Sequence, residues 1–183
     1  MKESSDTMQI FVYGGAASGK SEYAEQLAVK IAKKANAPLV YLATLYAHDA
    51  ESQQRIARHQ QQRAAQHFLT VEAPFAIDKL TLPPDSVVLL ECLSTLLANE
   101  LFLRKNNTYN SAALLQNISA LEKNCHACIL VSNSVFSDGT TYDPQTTHYL
   151  TELGFLHQAI CHTADQIYEV VCGIPIQYRK EKC

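Results

Sequence analysis

Residues 14–21 read Gly-Gly-Ala-Ala-Ser-Gly-Lys-Ser and match the phosphate-binding pattern G-x-x-x-x-G-K-S at every fixed position. Nothing else in the chain constrains the fold as strongly, because such a loop works only between a strand and a helix. Both are foreshadowed: the apolar run Met8-Gln9-Ile10-Phe11-Val12-Tyr13 precedes it, and a helical pattern from Glu22 follows. Backbone N–H groups of Ala16, Ala17, Ser18, Gly19 and Lys20 can ring a phosphate. Gly14 and Gly19 permit turns that a side chain would obstruct, and the helix N-terminus adds a positive field. Together with Gly15 these residues form the expected nucleotide-binding loop. Lys20 is expected to reach the β- and γ-phosphates, and the Ser21 hydroxyl to hold Mg²⁺.

The 183 residues suit a single domain spanning 1–183, with the polar stretch Met1–Thr7 expected to be flexible. A content of 47% hydrophobic and 18% charged residues is that of a globular protein, and a net charge of −3 offers no general attraction to nucleic acid. No apolar run reaches the length of a membrane span, and residues 1–7 are unlike a secretory signal, so a cytoplasmic location is expected. The six cysteines are scattered through expected helices and strands, which suits reduced thiols better than a disulfide framework. Cys125-His126-Ala127-Cys128 has CxxC spacing but lacks a second pair, and Cys128 enters an apolar strand; it reads as structural rather than zinc-binding.

Helical periodicity after the loop runs through Tyr23, Ala24, Leu27, Ala28, Ile31 and Ala32, and Asn36 and Pro38 end it. Leu39–Ala43 is a short continuous apolar run, the pattern of a strand buried on both faces. Thr44 at its end is expected near the phosphates, since ligands of open α/β sheets collect at the carboxyl ends of strands. From Glu51 to Arg63 the pattern is helical with Ile56 as its one large apolar residue. Arg55, His59 and Arg63 are spaced by four and share one side of that helix. This stripe is either a solvated polar face or a phosphoryl or nucleotidyl acceptor, in which the arginines hold phosphates and keep the imidazole nucleophilic.

Phe68–Glu72 reads as a strand, followed by Ala73-Pro74 and a short helix to Leu80. Ser86–Leu90 is a further buried strand tipped by Glu91, a natural metal partner for Ser21 or, alternatively, a cap of the next helix. Expected beyond it are a helix over 93–103 with Asn99 as a lone polar group, a helix over 111–123 and a strand over 127–131. A long polar loop over 132–146, a helix over 147–163, a strand over 166–171 and an antiparallel partner over 173–178 complete the chain. Strands alternating with helices predict an α/β fold: a mostly parallel sheet covered on both faces, with a C-terminal antiparallel hairpin.

Several stretches, in this order, resemble the adenosylcobinamide kinase/adenosylcobinamide-phosphate guanylyltransferase family. They are the glycine loop, Tyr41-Leu42-Ala43-Thr44, the Arg55 to Arg63 helix, Thr70-Val71-Glu72-Ala73-Pro74, Glu91-Cys92-Leu93-Ser94-Thr95-Leu96 with Asn99, and Val131-Ser132-Asn133. The resemblance covers nearly the whole chain. It implies a RecA-like phosphate-loop fold and a homotrimer. It further implies phosphorylation of adenosylcobinamide and GMP transfer from GTP through a guanylyl-histidine on His59, within cobalamin biosynthesis. Catalytic His59, Lys20 and Glu91, nucleotide-binding Thr44, Arg55, Arg63 and Glu72, Mg²⁺ on Ser21 and Glu91, GTP or ATP, and a corrinoid substrate follow from the same resemblance. The chain departs from the family pattern at Ala17, at Ser134-Val135-Phe136, over 147–151 and at His157. Those departures would suit a phosphate-loop kinase acting on another small hydroxyl compound, and a non-catalytic nucleotide-binding regulatory module is a further alternative. Retention of Lys20, Ser21, His59 and Glu91 together argues for the enzyme.

Overall fold

The computed structural model describes residues 7–46, 66–104, 109–136 and 139–178. The expected helix over 51–63, with Arg55, His59 and Arg63, lies outside the described residues, as does nearly all of the 1–7 stretch.

A seven-stranded sheet runs in the order β3-β2-β4-β5-β1-β6-β7. Its strands are β1 Met8–Gly14, β2 Leu39–Ala43, β3 Leu69–Glu72, β4 Ser86–Glu91, β5 Cys125–Asn133, β6 Gln166–Val171 and β7 Ile174–Tyr178. Every neighbouring pair is parallel except the antiparallel β6–β7 hairpin. This is the mostly parallel sheet with a C-terminal antiparallel hairpin anticipated from sequence, with β5 intervening between the phosphate-loop strand β1 and the acid-tipped strand β4.

Alternation along the strands sends side chains to two separate cores. On one face, helix α1 (Lys20–Ala35) lays Ala24, Ala28 and Ala32 against Ile10, Val12, Leu89, Ile129 and Val131. Small side chains four residues apart let the helix lie close on the sheet. The opposite face, with Phe11, Leu42, Val88, Leu90 and Leu130, is covered by α2 (Leu93–Ala98), α3 (Ser111–Glu122) and α4 (Pro144–Thr163). Leu93, Leu96, Leu114, Ile118, Leu153, Leu156 and Ile160 supply that cover.

Several elements differ from the sequence expectation. The short helix before Leu80 is a single 3-10 turn over Ile77–Lys79, and the helix after β4 changes at Asn99 from α to a π segment over Asn99–Leu103. The Asn99 side-chain amide there donates to two carbonyls outside the helix, Thr44 O at 2.8 Å and Pro74 O at 3.1 Å. The expected loop over 132–146 is shortened from both ends. β5 continues to Asn133 because it pairs with β1 as far as Gly14, and α4 begins at Pro144. Its N-cap Asp143 accepts from Gln145 N at 2.9 Å and Thr146 N at 3.1 Å, with proline in the first turn where no N–H is needed. Cys125 and Cys128 are buried free thiols inside β5; burial pushes the Cys125 thiol up to about 11.

Candidate active site

The carboxyl ends of β1, β4 and β5 meet at one edge of the sheet, and the loop leaving β1 turns over them. Gly14 closes β1 where the backbone is most crowded: a Cβ there would stand 2.5 Å from Val170 O and 2.6 Å from Ser18 Oγ. Gly19 caps α1 with φ +88, a left-handed conformation natural only to glycine. No side chain caps the helix at that end, so its first N–H groups remain available to an anion. Gly15, Ala16 and Ala17 form the exposed outer arc, with Ala17 itself at φ 54. Lys20 is 8% exposed, and its ammonium donates to the Gly15 carbonyl at 3.1 Å. The long side chain thus folds back under its own loop.

Ser21 and Glu91, joined in the sequence reading only by analogy, touch: the Ser21 hydroxyl donates to Glu91 Oε1. Glu91 Oε2 accepts from the Tyr41 hydroxyl at 3.2 Å. The cleft around them has a volume of about 430 Å³ and is lined by residues 17–22, Glu91, Cys92, Thr95 and Asn133. A larger groove of about 480 Å³ lies at the opposite end of the sheet, between the second half of α1 and the starts of β1 and β6. The smaller cleft is the chemical candidate, because the lysine, the hydroxyl, the carboxylate and the helix N-terminus converge on it. Hydroxyl and carboxylate oxygens at contact distance form a hard donor set of the kind that suits Mg²⁺.

Thr44 is 1% exposed. Its hydroxyl donates to Cys92 O at 3.1 Å and accepts from Cys92 N at 2.7 Å, and its backbone N–H donates to Glu91 O at 3.1 Å. Thr44 therefore fastens the end of β2 to the chain just after the catalytic-site carboxylate candidate. Glu72 ends β3 at the same edge of the sheet, opposite Ala43 in register, and is exposed. The fully buried carboxylate of Glu100 accepts from Ala76 N at 2.8 Å and from Arg104 at 2.8 Å, pinning the segment after β3. Arg55, His59 and Arg63 are outside the described residues.

Cys92, Thr95 and Asn133 were given no role from sequence, yet they line the cleft. The rule that ligands gather at carboxyl strand ends would have selected Asn133, the last residue of β5. On the other side of the β1 and β5 tips lies an aromatic cluster. The His157 ring packs against Phe11 and Phe136, with centroids 5.1 and 5.5 Å away, while Tyr13 stacks on Phe11 and Tyr178. His157 Nε2 is 2.7 Å from Ser132 Oγ, and burial pulls its pKa down to about 4. Burial also raises the Tyr13 phenol.

A family model described as cobinamide kinase / cobinamide phosphate guanyltransferase matches residues 10–178. The bifunctional adenosylcobalamin biosynthesis protein CobP of Pseudomonas aeruginosa is 32% identical over 180 residues, covering 95% of this chain and 99% of its own length. CobU of Salmonella typhimurium, of the same description, is 32% identical over 188 residues, covering 94% and 100%. Among solved structures, the flagellar accessory protein FlaH of Methanocaldococcus jannaschii is similar with a TM-score of 0.47 at 14% identity, over 88% of this chain and 70% of that one. A KaiC-like protein of Pyrococcus horikoshii gives 0.48 at 12% identity, over 88% and 71%.

Proposed function

From the premise that the chain belongs to the cobinamide kinase / cobinamide phosphate guanyltransferase family, we propose that it is a bifunctional enzyme of cobalamin biosynthesis. In the kinase half-reaction the hydroxyl oxygen of adenosylcobinamide attacks the γ-phosphorus of a nucleoside triphosphate. The bond to the β–γ bridging oxygen breaks, and the hydroxyl proton is lost. In the second activity an imidazole nitrogen of His59 attacks the α-phosphorus of GTP and releases pyrophosphate. A phosphate oxygen of the corrinoid then displaces the histidine and carries GMP away. A cytoplasmic homotrimer belongs to the same proposal.

The observation that carries this reading is the convergence of Lys20, Ser21 and Glu91 in one cleft at the N-terminus of α1. Lys20 can leave the Gly15 carbonyl for phosphate oxygens, a stronger charged acceptor. The ring of N–H groups over 16–20 orients the triphosphate and offsets its charge without reorganising. Ser21 and Glu91 would hold Mg²⁺, which supplies positive charge to the phosphate oxygens. Arg55 and Arg63, four residues before and after His59 in the sequence, would steady the α-phosphate while the imidazole attacks.

The test is intact mass after incubation with GTP and Mg²⁺. One GMP per chain should appear, acid-labile and base-stable as a phosphoramidate is, and peptide mapping should find it on His59. His59→Ala should abolish it while GDP binding persists. No adduct under conditions where GTP demonstrably binds, or an adduct on another residue, would defeat the guanylyltransferase assignment.

A further inference from the structure

Residue 91 is tied to β2 at two levels. Its backbone carbonyl accepts from Thr44 N at 3.1 Å, and the next N–H, on Cys92, donates to the Thr44 hydroxyl at 2.7 Å. Its side chain is held from the same strand by Tyr41, whose hydroxyl donates to Glu91 Oε2 at 3.2 Å. Ala43 stands opposite Glu91 in register, so Tyr41, two residues earlier, shares its face and reaches the carboxylate from within the sheet. The ring is fixed as well. Tyr41 is 5% exposed, packs in the core beneath α1 and meets Phe68 edge-on with centroids 5.9 Å apart.

A phenylalanine would fill this place in the core equally well, so packing does not account for the hydroxyl. A buried phenol needs an acceptor, and Glu91 Oε2 supplies one. The two carboxylate oxygens are thereby divided: Oε1 accepts from Ser21 at the cleft, and Oε2 from Tyr41 behind it. That division matters once a cation is seated between Ser21 and Glu91. The hydrogen bond joining those two is then given up, and of the two anchors on the carboxylate the one from Tyr41 persists. Without it, a side chain with three rotatable bonds would have to be ordered at the moment of binding. Hydrogen bonds from outer groups are what orient metal ligands in general. We propose that Tyr41 is the positioning residue for Glu91, holding Oε2 so that Oε1 stays aimed at the cation site beside Ser21. The proposal rests on the reading of Ser21 and Glu91 as the metal pair.

The experiment measures Mn²⁺ affinity in the GDP-bound full chain, from the spin-resonance signal of free Mn²⁺, together with GDP affinity in EDTA by calorimetry. Tyr41→Phe keeps the ring and its contact with Phe68 and deletes only the hydroxyl. Its Mn²⁺ affinity should fall roughly tenfold, as expected for loss of an outer partner of a metal ligand, while metal-free GDP affinity stays within about twofold. Phe68→Leu, which disturbs the packing of the Tyr41 ring but spares its hydroxyl, should leave Mn²⁺ affinity within about twofold. In a Glu91→Gln background, adding Tyr41→Phe should change Mn²⁺ affinity by less than about twofold, because the carboxylate through which Tyr41 acts is gone. Parental Mn²⁺ affinity in Tyr41→Phe would overturn the proposal. So would an equal loss in metal-free GDP binding, the same loss in Phe68→Leu, or an undiminished loss in the Glu91→Gln background. A parent chain that binds GDP but gains no Mn²⁺ site on doing so would sink the Ser21 and Glu91 metal reading itself, and this inference with it.

Discussion

The backbone N–H of Gly173 donates to the carbonyl of Ser18 at 2.8 Å. That one bond fastens the turn between the last two strands to the phosphate loop, 155 residues earlier in the chain. Gly173 has φ +80, with nothing within 4 Å of where a Cβ would stand, whereas a Cβ on Gly19 would meet Gly173 Cα at 3.2 Å. The two glycines thus face each other across the contact with unequal room to spare.

An alanine at either position should reveal that inequality. Gly173→Ala carries only the cost of a left-handed backbone, about 1 kcal/mol. Gly19→Ala carries a similar cost and also pushes the turn off the loop. The expected order of GDP affinity by calorimetry is parent, then Gly173→Ala, then Gly19→Ala, with the last lower by a factor of ten or more. Equal affinities for Gly19→Ala and Gly173→Ala would show that the turn does not support the loop.

Lys20→Ala should weaken nucleoside triphosphate binding by about 1.5–3 kcal/mol, the range for a charge-assisted hydrogen bond. The same titration reads it. Because among the described residues the Lys20 ammonium bonds a carbonyl of its own loop, thermal stability without nucleotide should change little. A variant with parental GTP affinity would remove the phosphate-loop assignment.

Glu91→Gln preserves shape and removes the negative charge; its single carbonyl oxygen can accept from one of the Ser21 and Tyr41 hydroxyls while its amide nitrogen donates to the other. The Mg²⁺ concentration needed for half-maximal turnover should rise while the melting temperature holds. Chelation of Mg²⁺ with EDTA should stop turnover in the parent. An unchanged Mg²⁺ requirement in the variant would return Glu91 to the role of tying β4 to its neighbours.

His157 predicts a pH dependence of stability. Its folded pKa is near 4 because burial disfavours the imidazolium, against about 6.5 in an unfolded chain. The unfolded chain therefore binds the proton first, and stability falls as pH drops from about 6.5 towards 4. The loss approaches about 3 kcal/mol at the low end. Above pH 6.5 both states are neutral at this residue and it contributes no slope. Denaturant midpoints between pH 4 and 7 should fall more steeply for the parent than for His157→Asn. Parallel curves would show that the imidazole is not held neutral by its setting.

Part of this protein was legible because the causes are local. A phosphate loop needs an apolar strand before it, glycines at two crowded turns and a helix after it, and all of these fall within 8–35. Strands β2 and β4 were legible because burial on both faces leaves a continuous apolar run, and Glu91 because it stands at the end of one. The C-terminal hairpin was announced by Cys172-Gly173 between two strand patterns. Other features arise only when distant segments are brought together. Thr44 was expected near phosphate from its position at a strand end, but its hydroxyl is occupied by the backbone of Cys92, 48 residues away. The orientation of Asn133 depends on Ser94, 39 residues earlier, and no periodicity within either segment encodes that bond. The π segment at Asn99 likewise accompanies two carbonyls, on Thr44 and Pro74, that are remote in sequence. Sequence by itself determined which segments are strands, which loop can bind phosphate and which carboxylate can stand near it, since those follow from local backbone needs and burial. The tertiary structure alone decided which polar groups are consumed in holding the strand tips together and which face the cleft, because a hydrogen bond between segments depends on their relative placement.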